Sequence, residues 1–303
     1  MKNYWVKFHY LIVQFFKQLS GTNDYWHPLM KYRDPAVYNP HRYYFIDISN
    51  KAFFPFELTN GLPIINFEGK PLQFSVTILN YGLGILDSTD VNEKALFPVL
   101  NWCLNTMDDK GLIPNPHPLP RYGIDSEWYS CLTQGLLLSF LIRAQVHIEV
   151  NPSTIEKVFK SLSHDSINND FNDINFFQEF GSSNTNVLNG HLFCLFGILD
   201  YCIYKGQMDL IEVKIGELEH VLDKFNYFTF WSKYNSIGFI SSRFYHLLHI
   251  EMLKSLQEYS TTVSFEKIIK RWSIGLKFLH GPFVVAKGFQ KLGQLKHTKV
   301  LPL

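Results

Sequence analysis

Arg243-Phe244-Tyr245-His246-Leu247-Leu248-His249-Ile250-Glu251 lies within a run, Ser241 to Glu258, whose apolar residues repeat with helical period. Tyr245, Leu248, His249 and Met252 stand at i, i+3, i+4 and i+7, so a helix puts them on one face. His246 sits about 100° round from Tyr245. A phenol and two imidazoles therefore fall within two turns, with Arg243 just ahead of them. Such a cluster suits proton transfer. It equally suits a core helix whose polar groups are hydrogen-bonded and inert, and spacing alone leaves both readings open.

The surrounding chain has 303 residues, of which 46% are hydrophobic, enough for one large domain or one domain with a smaller companion. Aromatics make up 16%, a share that fits a sugar-lined cleft or a well-filled core. The formal net charge of +1 argues against wholesale electrostatic capture of nucleic acid, and no nucleic-acid partner is expected. Cys103, Cys131, Cys194 and Cys202 form no CxxC pair, and each lies in an apolar helical context. Four free, buried thiols are expected, which favours a reducing compartment and a cytoplasmic location. Cys194 and Cys202 are eight residues apart on one helix, so their Cα atoms lie about 12 Å apart, beyond the ~7 Å reach of a disulfide.

Lys2, Lys7 and Lys17 surround a short apolar run at the N-terminus, with no small-residue cleavage site after it. Residues 4–19 are amphipathic. They predict a helix docked on the domain, with peripheral membrane contact or a homodimer contact as the alternatives. Residues 20–45 are broken by proline steps and read as an extended arm. Short strand signals follow: part of Tyr43 to Ile48, then an Asn60-Gly61 turn, then Ile64 to Phe67 before Glu68-Gly69-Lys70-Pro71.

Helical patterns take over from Val76. They are expected over Val76–Leu86, Asn92–Met107, Asp125 or Ser126 to His147, Thr154–Leu162, Val187–Tyr204, Ile211–Phe225, the opening run, and Phe265–Phe278. Gly111 suits a C-terminal cap. Four prolines in Leu112–Gly123 exclude regular structure there. Residues 163–186 read as a long polar loop, and Tyr227 to Gly238 as a strand-and-turn segment. Alternation of all-apolar helices with amphipathic ones predicts a mainly α chain. Its architecture is an α/α toroid, an incomplete α/α barrel, preceded by a small N-terminal β-hairpin and extended arm. The loops 112–124, 163–186 and 226–240 are expected at one end. The division is residues 1–89 for helix, arm and short strands, 90–282 for the toroid, and 283–303 for a basic, loose tail.

Four blocks then resemble a known family. They are Asp125-Ser126-Glu127-Trp128-Tyr129-Ser130-Cys131-Leu132-Thr133-Gln134-Gly135 running on to Leu141-Ile142-Arg143-Ala144; Gln178-Glu179-Phe180 with Val187-Leu188-Asn189-Gly190; Gly197-Ile198-Leu199-Asp200; and Tyr245-His246 with His249-Ile250, then Lys270-Arg271-Trp272. Together they resemble the C-terminal domain of D-glucuronyl C5-epimerases, over about residues 76 to 275. The resemblance implies an α/α toroid, a uronic-acid-containing polysaccharide as partner and substrate, and catalytic tyrosines. The family tyrosine of the Tyr-His-x-x-His-Ile block falls on Tyr245. The Glu-Tyr-Pro motif falls on Glu179-Phe180-Gly181, and the tyrosine of a Thr-x-Tyr-Asp-Leu-Arg turn on Trp231, so two of three phenols are replaced.

C5 epimerisation takes a proton α to a carboxylate and returns one on the opposite face. It needs two proton-transfer groups and support for growing negative charge. Tyr245 is the first candidate, helped by Arg243, His246 and His249. The second group is Glu179, His249 or His246. Lys233, Arg121 and Arg143 are the cations considered for a substrate carboxylate, with a structural ion pair as the alternative for Arg143. Gln134 and Asn189 offer sugar contacts or buried bonds to a neighbouring loop. Trp128 and Tyr129 form a sugar platform or pack, and Trp231 is placed to stack on a sugar ring. No metal-binding motif or phosphate loop is found, and neither a metal nor a cofactor is expected. Two other readings stay open: a polysaccharide-binding protein with altered catalysis, and a lyase or hydrolase on the same substrate class.

Overall fold

The computed structural model describes residues 9, 12–13, 30–67, 70–119, 122–181 and 185–295. The amphipathic helix expected over 4–19 lies outside them apart from His9, Ile12 and Val13, and so does Arg121.

The described residues form nine α-helices and three small antiparallel sheets. Ahead of the helices come β1 (Glu57–Thr59), β2 (Leu62–Phe67) and β3 (Lys70–Leu72). The β1–β2 turn is Asn60-Gly61, both with positive φ (53° and 77°), the conformation that an Asn-Gly hairpin turn takes. The helices are α1 (Ser75–Leu86), α2 (Glu93–Thr106), α3 (Cys131–Ala144), α4 (Pro152–Ser161), α5 (Leu188–Lys205), α6 (Asp209–Leu222), α7 (Arg243–Gln257), α8 (Glu266–Phe278) and α9 (His280–Leu295). Between them lie the hairpins β4 (Asn168–Phe171) with β5 (Ile174–Phe177), and β6 (Asn226–Tyr227) with β7 (Trp231–Ser232).

Packing sorts the helices into two rows. α1, α3, α5 and α7 touch one another in that order, and each carries the next helix of the chain (α2, α4, α6 or α8) on its outer side. Sequence dictates which row a helix joins. Every residue of α3 is buried, whereas α4 buries only Ile155, Val158 and Ser161, one stripe of an amphipathic cylinder. One hydrophobic core runs through all of this, from Met30 to Trp272. The N-terminal arm and α1 therefore share it with the helices after residue 90.

Glycines let the two central helices meet. A Cβ on Gly135 would stand 2.5 Å from the Phe193 carbonyl oxygen and 2.6 Å from Cys194 Cα, and one on Gly197 2.6 Å from the Gly135 oxygen. Both obstacles are backbone, which cannot swing aside. Gly135→Ala should cost about 3 kcal/mol or more, the upper range of overpacking, and a denaturant titration against the parent measures it.

Asp87, at the end of α1, gathers the extended arm. Its carboxylate accepts from Arg33 Nη1 (2.5 Å), Tyr44 N (2.8 Å) and Ile48 N (2.9 Å). Asp87→Ala strands two buried N–H groups and leaves the Arg33 guanidinium with Asp47 (3.1 Å) as its remaining carboxylate partner. It should lower stability by about 3–5 kcal/mol, with early proteolytic cuts in 30–50 as a second readout.

Three expectations need correction. The helix expected from Asp125 or Ser126 begins at Cys131. Asn115 and Trp128 instead exchange backbone hydrogen bonds (2.8 and 3.2 Å), and the Trp128 indole donates to the His117 carbonyl at 2.9 Å. This pairing overrides the capping signal. The loop 163–186 contains a hairpin of two four-residue strands, turned by Asn172 and Asp173 at φ of 55° and 65°. The tail expected from 283 is helical as far as Leu295, because Phe283 and Val284 are buried. All four cysteines are free and buried, as expected.

Candidate active site

The inner helices all present their N-termini to the same end of the molecule. Ser75 of α1 touches Asn115 (2.5 Å) and Thr133 (3.2 Å) through its hydroxyl. Cys131 N, at the start of α3, donates to the Gln178 carbonyl (2.9 Å), and Leu188 N, at the start of α5, to that of Tyr234 (3.1 Å). The three long connections meet there, as expected. Tyr122 stacks on Phe180 with centroids 3.9 Å apart, and Trp128 packs on the same ring at 5.5 Å. Val187 bridges Asn235, and Ser236 N donates to the Asn186 carbonyl (2.9 Å).

Glu179 sits at the centre of this junction. It stands two residues after β5, is 8% exposed, and lies against the first turn of α5. Only glycine at position 190 permits that approach, because a Cβ there would stand 2.7 Å from Glu179 Oε2. Asn189 Nδ2 donates to the same oxygen (3.4 Å), and the Tyr234 hydroxyl shares a second hydrogen bond with the carboxyl group. Burial pushes the Glu179 carboxyl up to about 8, against the opposing pull of Tyr234 and Asn189. Tyr234 in turn packs edge-on against Tyr245, centroids 5.0 Å apart at 65°. Tyr245 stands in the first turn of α7, half-buried, and its N–H is capped by Ser242 Oγ (3.3 Å). One carboxyl group and two phenols, from three separate segments, thus stand together: Tyr234 bonds Glu179 through its hydroxyl and touches Tyr245 through its ring. The family model for D-glucuronyl C5-epimerase C-terminus matches residues 119–274, just over half of the chain, and spans all three.

The chain belongs to the D-glucuronyl C5-epimerase family.

Within this epimerase-family domain the remaining sequence candidates take varied places. Asn189 is buried beside Glu179, with its Oδ1 free of any hydrogen-bond partner. Arg243 is half-buried at the first position of α7, two residues before Tyr245. Tyr129 is half-buried and donates to Asp108 Oδ2 (3.2 Å). Lys233 turns its Nζ to the Lys224 carbonyl (3.1 Å).

Gln134 spends its amide wholly on the chain. It accepts from Ile113 N (2.9 Å) and donates to the Gly111 carbonyl and Ser161 Oγ (both 2.8 Å), which is the buried loop strut rather than the sugar contact. Arg143 forms its ion pair with Asp200, at 2.7 and 3.0 Å. Trp231 is not placed to meet a sugar. It is 1% exposed, stacked on His246 at 3.8 Å and on Phe283 at 4.8 Å, and its indole donates to the Ser241 carbonyl (3.0 Å).

His246 and His249 are both fully buried. Both nitrogens of His246 are engaged: Nδ1 accepts from Ser232 N (3.0 Å), and Nε2 then carries the proton donated to the Trp272 carbonyl (3.0 Å). His249 Nδ1 meets Ser232 Oγ at 2.9 Å, and its Nε2 has no hydrogen-bond partner. Burial drives His246 down to about 3 and His249 well below the usual imidazole range, so both rings are neutral.

Sequence reasoning missed Tyr234 and Tyr122. Setting Trp231 in register with the family tyrosine leaves the phenol three residues later unassigned, and Tyr234 lies in a bend just after β7, where no strand period marks it. Among the described residues no group of three His, Cys, Asp or Glu side chains stands together as a metal site. No described helix is long and apolar enough to cross a membrane.

Proposed function

We propose that this chain is a uronate C5-epimerase of a polysaccharide, with its site at the junction of Glu179, Tyr234 and Tyr245. The observation that supports the reading most is their convergence: two phenols and a proton-bearing carboxyl group in one cluster, at the loop end of a two-row helical body. That alternation of inner and outer helices also supports an α/α toroid, whose open end suits a polymer chain.

The chemistry follows from the groups available. Tyr245, as the base on one face, takes the C5 proton onto its phenolate oxygen and becomes the neutral phenol, and the electron pair left at C5 spreads into the substrate carboxylate. A proton then returns to C5 on the opposite face from the Glu179–Tyr234 pair. The Glu179 carboxyl, pushed up to about 8, is largely protonated at neutral pH and holds that proton ready. In the reverse direction the roles exchange. Arg243 is the described cation nearest in sequence to Tyr245 and the proposed support for the substrate carboxylate. Asn189 holds Glu179 and offers its unpartnered Oδ1 to a sugar hydroxyl. Tyr122, Phe180 and Trp128 form the aromatic wall beside them.

Incubation with heparosan-type and other uronate polymers in heavy water tests this. Deuterium at C5 without chain cleavage supports the epimerase. Unsaturated chain ends select a lyase, and retained binding without exchange selects a binding protein.

A further inference from the structure

His246, His249 and Ser232 are deeply buried polar groups that the chemistry above does not use, and they stand on the two segments that carry the phenols. Ser232 is two residues before Tyr234. His246 is one residue after Tyr245. A single imidazole joins β7, from which the chain runs on to one phenol, to the helix that carries the other.

The bonds allow little freedom. Ser232 N must donate, so His246 Nδ1 must accept, and the ring proton is forced onto Nε2, which delivers it to the Trp272 carbonyl of α8. The Ser232 hydroxyl closes the arrangement by touching both His246 Nδ1 (3.0 Å) and His249 Nδ1 (2.9 Å). Trp231 covers the imidazole face at 3.8 Å and 13°. Three elements, β7, α7 and α8, are thus locked at one buried ring. From that lock the chain runs two residues to Tyr234, whose carbonyl then accepts from Leu188 N at the start of α5.

We propose that His246 is a positioning residue that fixes the Tyr234 hydroxyl on Glu179 and the Tyr234 ring against Tyr245, by holding β7 to α7 through its Nδ1. It touches no reacting atom and acts through Tyr234. The inference rests on the reading of Glu179, Tyr234 and Tyr245 as the site, and extends it from the groups that react to the group that aligns them.

The test compares three variants of the full chain. His246→Asn keeps an acceptor near the Nδ1 position. His246→Gln keeps a donor for the Trp272 carbonyl and loses the acceptor for Ser232 N. His246→Leu loses both. The first readout is the titration midpoint of the Glu179 carboxyl, followed by 13C NMR on carboxyl-labelled protein without substrate. The Tyr234 bond lowers that midpoint. Loss of alignment should raise it by roughly half a unit to one unit in His246→Gln and His246→Leu, and His246→Asn should restore the parent value. The second readout is C5 exchange, where kcat should fall about tenfold or more in the first two with KM little changed.

A merely structural role would lower the melting temperature of all three and leave the Glu179 midpoint where it was. Equal midpoints in His246→Gln and His246→Asn would overturn the proposal. If His246→Leu fails to fold, the Gln and Asn pair decides alone. If the parent exchanges no C5 hydrogen on any polymer, the epimerase reading fails, while the substrate-free titration still judges the alignment.

Discussion

Tyr245→Phe should slow C5 hydrogen exchange by about 10²–10⁴-fold, the usual contribution of one proton-transfer group, while the melting temperature stays within a few degrees of the parent. The substitution removes one oxygen from a half-buried ring and keeps the face that packs edge-on against Tyr234. Packing is therefore preserved and chemistry is not. Tyr234→Phe is the informative companion. It deletes the hydroxyl that shares a hydrogen bond with Glu179, so it should reduce exchange over a similar range and also raise the Glu179 midpoint. Exchange in heavy water, read by NMR at C5, measures both. Parent-like exchange in Tyr245→Phe would remove that residue from the mechanism.

The second large effect belongs to Glu179→Gln, and it has two signatures. Exchange should again fall by about 10²–10⁴-fold, since an amide cannot return a proton. Stability should change in a pH-dependent way. The folded carboxyl titrates at about 8, above its unfolded value of 4.5. Between those values the native state binds a proton that the unfolded chain has released, so the parent loses stability as pH rises across that window. The glutamine variant has no such slope. The two proteins should converge near pH 4, and the variant should lead by on the order of a few kcal/mol at pH 8 and above. Parallel thermal melts from pH 4 to 9 show the divergence or its absence. In the parent, exchange that depends on the Glu179 proton should decline as pH passes through about 8.

Much of the fold is visible in the chain because the inner helices are apolar all round and the outer ones are striped, a difference that periodicity reports directly. Leu136 to Ile142 has no polar face beyond Ser139, and the structure buries it all. What periodicity missed was decided by tertiary partners. The start of α3 moved to Cys131 because Trp128 found Asn115, thirteen residues earlier. The β4–β5 hairpin hid in a polar stretch whose turn, Asn172-Asp173, carries the usual left-handed residues. The site was half legible. Tyr245 and Glu179 stand out by motif. Helical spacing gathers His246 and His249 near Tyr245, yet it does not say which side of the helix faces the core. Both imidazoles turned inward to Ser232. Tyr234 was invisible for a related reason: its partners, Glu179 and Tyr245, are 55 and 11 residues away in sequence, and no local pattern connects them.

Segments so far apart also set an order of events during synthesis. Tyr122 and Phe180 can stack once the chain has passed α5, but Tyr234 reaches Glu179 only after β7 has a helix to lie on. That helix, α7, is the last of the inner row to emerge, and its anchor at Trp272 on α8 follows it. Closing such long loops is slow relative to local helix formation. Nascent chains ending before about residue 272 should therefore hold a helical body with an open, unassembled end. A C-terminal truncation that removes α8 should likewise lose the junction while sparing most of the core, since the His246 anchor at Trp272 goes with it.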